Sequence, residues 1–95
     1  MRIKIDMSKD EEKYLYQKAE NEDIEGQYNL ALLYENSEET EKNLEKAFYW
    51  YRNAAENGNI EAQYNLASLY YKGEGTEKNL EKAFKWYQKA AKKWS

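Results

Sequence analysis

Ninety-five residues, 41% apolar and 35% charged, suit one small globular domain and exclude a disordered segment. With no cysteine and no histidine, a disulfide framework, a thiolate metal site and the commonest general base are excluded. The net charge of −3 divides into −6 over residues 1–47 (7 basic, 13 acidic) and +3 over residues 48–95 (8 basic, 5 acidic), too weak a basic bias for a nucleic-acid binder.

Taken in chain order, residues 1–7 alternate Ile with charge (Arg2-Ile3-Lys4-Ile5) and read as an extended arm, since a lone strand has no partner. Neither this segment nor any other has the apolar length of a signal peptide or of a membrane span of about 20 residues. A soluble cytoplasmic protein without membrane or nucleic-acid partners is expected. Residues 8–21 predict a first helix and 24–35 a second, and after a loop over 36–42 a third helix runs over 43–57. In 59–73, Ala62, Leu66, Leu69 and Tyr70 recur at i, i+4, i+7 and i+8, one helical face. Asn59 is the expected N-cap, and Gly58 can close the preceding helix in left-handed geometry. Gly73 and Gly75 break the fourth helix, and Asn79 then caps a fifth. There Leu80, Ala83, Phe84, Tyr87, Ala91 and Trp94, widened by Trp86 and Ala90, form a stripe broad enough to be packed on two sides.

The nonamer TEKNLEKAF occurs at 40–48 and again at 76–84. Residues 25–59 and 61–95 agree at 22 of 35 positions, and KAENEDIEG (18–26) agrees with AAENGNIEA (54–62) at five of nine. A period of 36 residues means stacked helix pairs that bury a core between neighbours. The chain therefore divides into an arm (1–7), half a repeat (8–23), and two full repeats (24–59 and 60–95).

These units resemble Sel1-like repeats, which are tetratricopeptide-like. The resemblance rests on Ala62, Leu66, Tyr70, Gly73, Gly75, Lys82, Ala83, Trp86, Tyr87, Lys89, Ala90 and Ala91, and on Leu30, Tyr34, Lys46, Ala47, Trp50, Tyr51, Ala54 and Ala55 in the first unit. It covers residues 13–95 or so. It implies an all-α, right-handed α-solenoid of about five helices, and a scaffold that binds proteins or peptides. The chain departs from the pattern at Ala31 and Ala67 (usually glycine), at Thr40 and Thr76 (usually valine), and at Asn43 and Asn79, which replace a capping aspartate while keeping the cap. Ser37 and Glu39 replace both loop glycines of the first unit, so its loop should follow a different path from the second.

No motif carries catalysis. GEGTEK (73–78) follows no strand and lacks phosphate-loop spacing, and the acidic run from Glu35 to Glu41 lacks the spacing of a calcium loop. No cofactor or metal is expected. The paired Trp50-Tyr51 and Trp86-Tyr87 read as core. Candidate site residues lie on the first helix of each unit. At about 100° per residue, Tyr64, Ser68 and Tyr71 fall roughly 180–240° from Ala62, opposite Leu66. Their equivalents are Tyr28, Leu32 and Glu35, and Asn29 and Asn65 flank the stripe. First helices line the concave surface of helix-pair solenoids, and tyrosine is favoured at interfaces. The expected function is thus a non-enzymatic module binding a protein or peptide there, in the manner of a small inhibitor, immunity-type protein or adaptor. The alternatives are a self-associating protein forming end-to-end dimers and, behind it, an enzyme. Lys85, Lys89, Lys92 and Lys93, replacing Tyr49, Asn53, Glu56 and Asn57, suggest a polar end and a monomer.

Overall fold

A computed structural model describes residues 9–21, 23–37 and 41–92, with the backbone alone at Glu41 and Lys42. The N-terminal arm, the acidic stretch 38–40 and Trp94 lie outside the described residues. Five helices follow in order: α1 (Lys9–Glu20), α2 (Ile24–Asn36), α3 (Glu41–Glu56), α4 (Ile60–Lys72) and α5 (Leu80–Lys92). Each packs on the next along the chain, giving an elongated all-α solenoid of 38 × 27 × 19 Å.

The helix ends follow from local chemistry. Asp23 Oδ1 accepts from Gly26 N (3.1 Å), Asn59 Oδ1 from Ala62 N (2.7 Å) and Asn79 Oδ1 from Lys82 N (3.0 Å), so three helices begin on a side-chain cap. Gly58 (φ 99°) and Gly73 (φ 71°) end α3 and α4 in conformations that glycine adopts without steric cost. Asn43 is different: it lies inside α3, where its Nδ2 donates to Ser37 Oγ (2.6 Å), so the expected cap is not formed. The two copies of the nonamer thus fold differently. Glu41 is already helical, whereas Glu77, Lys78 and Asn79 precede α5. The cause lies upstream. Ser37 leaves α2 extended (φ −71°, ψ 150°), while Gly73 turns left-handed and Asn79 N donates back to Tyr70 O (2.9 Å).

The core is thin and repeats. Leu30, Leu66 and Leu69 are fully buried, each contributing about 1.5–3 kcal/mol by leaving water. Ala31, Ala47, Ala54, Ala55, Ala62, Ala67 and Ala83 are buried beside them and let the helices approach closely. The expectation that α5 is packed on two sides is not met. Ala83 and Ala90 are buried, but Leu80 and Phe84 are 44% and 55% exposed and Ala91 is exposed. The reason is positional: α3 has α4 against the corresponding residues, and among the described residues nothing follows α5.

Candidate functional site

Two polar devices tie neighbouring helices together. Gln27 Nε2 donates to Ala19 O (3.2 Å) and Gln63 Nε2 to Ala55 O (3.1 Å), each satisfying a carbonyl in the last turn of the helix before. Both glutamines are buried. Sequence reasoning passed over them because glutamine is usually a surface residue. Their recurrence at 36 positions, each eight residues after a buried alanine, was the available signal.

The second device is buried tyrosine. Tyr51 OH donates to Glu35 Oε1 (2.5 Å), and the Asn65 side chain lies beside the same hydroxyl. Burial first, and the Glu35 carboxylate second, push the Tyr51 hydroxyl well above its ordinary value. Tyr34 OH donates to Glu12 Oε2 (2.6 Å), and burial and that carboxylate raise it likewise. Glu35 and Asn65, both expected at a partner-binding surface, are therefore engaged at the seam between units.

The remaining stripe residues sort clearly. Tyr64 and Tyr71 are 58% and 50% exposed, and Asn29 is exposed. Leu32 and Ser68 are half-buried. Tyr28 does not stand opposite the core: it packs against it, its ring 5.9 Å from that of Tyr51. Tyr64 repeats the contact on Tyr87 at 5.3 Å, but with more of its ring in water.

Tyr28, Tyr64 and Asn65 come together in one apolar groove of about 730 Å³, together with Ile60, Glu61, Tyr87, Ala90 and Ala91. A smaller cavity of about 610 Å³ continues from Tyr28 past Asn29 to Ile24 and Asn59. Leu32, Glu35, Ser68 and Tyr71 line neither. The α5 wall of the groove had no counterpart in the sequence reading, which placed Tyr87 in the core.

A further cavity, about 1240 Å³, is an open trough between α1 and α3. Tyr16 and Tyr49 pack edge-on against Trp50 there, at 5.6 and 4.9 Å. Three lysines and three glutamates line it, so it presents no net charge to a phosphate or a cation. Among the described residues no cluster of three or more acidic side chains could hold a metal, and no helix is long and apolar enough to cross a membrane.

Sel1 repeats match residues 24–59 and 60–93. A protective antigen of uropathogenic Escherichia coli displaying an SLR fold superposes with a TM-score of 0.79 at 33% identity, over 85% of this chain. A Sel1 repeat protein from Oxalobacter formigenes superposes with a TM-score of 0.77 at 34% identity, over 86% of this chain. The chain spans only 17% and 34% of the lengths of those two proteins. Comparison with curated proteins gives no match.

Proposed function

Because the chain belongs to the Sel1 repeat family, whose fold commonly mediates protein–protein interaction, we propose that it is a non-enzymatic module binding a protein or peptide along the α2–α4 side. One observation carries this reading. Tyr64 is 58% exposed at the edge of an apolar groove that it shares with Tyr28, Asn65 and Tyr87. Such a surface on a small domain is a cost unless something covers it. Tyr71, Asn29, Leu32 and Ser68 extend the surface along the same two helices, and Glu35 and Asn65 hold its floor through Tyr51. A groove of this kind suits blocking or tethering one partner, in the manner of an inhibitor, immunity-type or adaptor protein. The −6/+3 division of charge between the halves would steer that encounter.

The test begins with the partner retained by the immobilised protein from native lysate, identified by mass spectrometry and then purified. Tyr64→Ala combined with Tyr71→Ala removes two exposed rings. It should weaken binding by about 30-fold or more while leaving the helical circular dichroism unchanged. Wild-type affinity in this double variant would move the site off the α2–α4 side.

A further inference from the structure

The carbonyls of Ala19 and Ala55 each receive a glutamine amide from the next helix. Ala91 is the third member of this series, again 36 positions on, and it is exposed. Around Ala55, the α3 face that α4 covers also comprises Phe48, whose ring meets Tyr70 edge-on at 5.2 Å, and Tyr51, whose hydroxyl lies beside the Asn65 side chain. Leu44 completes it, its carbonyl meeting the turn after α4 at Gly75. On α5 the same four positions are Leu80, Phe84, Tyr87 and Ala91, identical in type and in register. There Leu80, Phe84 and Ala91 are exposed and Tyr87 is half-buried beside Tyr64, and Tyr87 and Ala91 form one wall of the 730 Å³ groove.

We propose that this open face of α5 docks a helix of a second polypeptide carrying the Gln-x-Asn-x-x-x-x-Tyr pattern of α2 and α4 between acidic flanks. The pattern follows from the interface already built within the chain. A glutamine amide reaches the Ala91 carbonyl, an asparagine the Tyr87 hydroxyl, and an aromatic ring the face of Phe84. The flanks follow from charge. Helix α5 carries Lys82, Lys85, Lys89 and Lys92 against Glu81, a balance of +3, whereas Glu41–Glu56 balances three basic side chains against three acidic ones. That difference also disfavours a second copy: α5 against α5 brings two lysine-rich helices together. The opposite end of the molecule is equally unsuited. At the positions of Ala47, Trp50 and Ala54, α1 has Glu11, Tyr14 and Lys18, and it lacks the glutamine-asparagine-tyrosine pattern. This face adjoins the α2–α4 surface at the groove wall of Tyr87 and Ala91, but Leu80 and Phe84 lie outside that groove, so variants there test the two readings separately.

The probes are fluorescein-labelled, lactam-bridged helical peptides of residues 23–37 (net −3) and 59–73 (net 0), titrated with the whole protein by anisotropy. Both should bind saturably, and salt should weaken the acidic peptide more than the neutral one. Phe84→Glu should reduce binding about tenfold or more. With 55% of its ring exposed Phe84 is not a fold determinant, and Leu80→Glu, at 44%, serves as a second variant. In the 23–37 peptide, Gln27→Ala should cost about threefold or more by losing the amide to Ala91. Tyr14→Glu on α1 should change nothing. Absence of saturation up to about 1 mM, or binding that both α5 variants leave intact, overturns the proposal. So does light scattering that finds a wild-type dimer abolished by Phe84→Glu, since a second copy would then own the face.

Discussion

Replacing Gly75 by alanine isolates what holds the two full units together. Gly75 has φ 74°, and a Cβ built there would lie 2.2 Å from Leu44 O and 2.6 Å from Leu44 C. Both are backbone atoms of α3, so no rotamer change relieves the overlap, and the α4–α5 turn must lift away from the first unit. Gly58 provides the control. Its φ is 99°, but an added Cβ meets nothing within 4 Å. Gly58→Ala therefore carries the conformational penalty alone, about 1–2 kcal/mol. Gly75→Ala carries that penalty plus the loss of packing between units, about 3–5 kcal/mol in all. At about 4–8 °C per kcal/mol for a domain of this size, a difference of about 2–3 kcal/mol should separate the melting temperatures of the two variants by about 8–24 °C. Thermal unfolding followed by circular dichroism at 222 nm measures both. Equal destabilisation would mean that the turn does not rest on Leu44, and the account of the seam would fail.

Ala47 and Ala83 occupy equivalent, fully buried positions in α3 and α5. Leucine at either should destabilise by about 1–3 kcal/mol through overpacking, read from urea denaturation midpoints. Alkaline pH should unfold the protein through its buried hydroxyls. The folded protein holds Tyr51 above its ordinary value of 10.0, so its contribution is whole below pH 10. As pH rises, the unfolded chain ionises first, and Tyr51 alone removes about 1.4 kcal/mol per further pH unit until its folded value is passed. Tyrosinate absorbance at 295 nm and helical signal should then change together above pH 10, and Tyr51→Phe should uncouple part of the transition.

The helices were legible because two signals agreed: an apolar period near 3.6 and a 36-residue self-similarity that fixed its phase. The Asn59 and Asn79 caps were legible for the same reason, being followed by the amides they accept from. Asn43 shows the limit. Its nine-residue setting is identical to that of Asn79, yet it is helical, because the preceding residues decide where the helix starts. A left-handed exit at Gly73 leaves a tight turn that the Asn79 amide closes on Tyr70 O; an extended exit at Ser37 does not.

The surface was less legible, and Tyr28 and Tyr64 show why. A helical wheel assigns them the same angle, and the structure gives them the same ring contact, on Tyr51 and on Tyr87. They differ in what comes next. Helix α4 lies over Tyr51 and leaves it no exposed surface, so Tyr28 packs against a completed core. Among the described residues no further helix lies over Tyr87, so Tyr64 stands largely in water. In a stacked-repeat protein the burial of a residue is fixed by its neighbour one unit along. Periodicity within one helix therefore separates core from surface in the interior of the array and loses that power at its end. There, at Leu80, Phe84, Tyr87 and Ala91, the sequence repeats an interior pattern while the described residues supply no interior partner, so the pattern alone reads as core what the structure leaves at a surface.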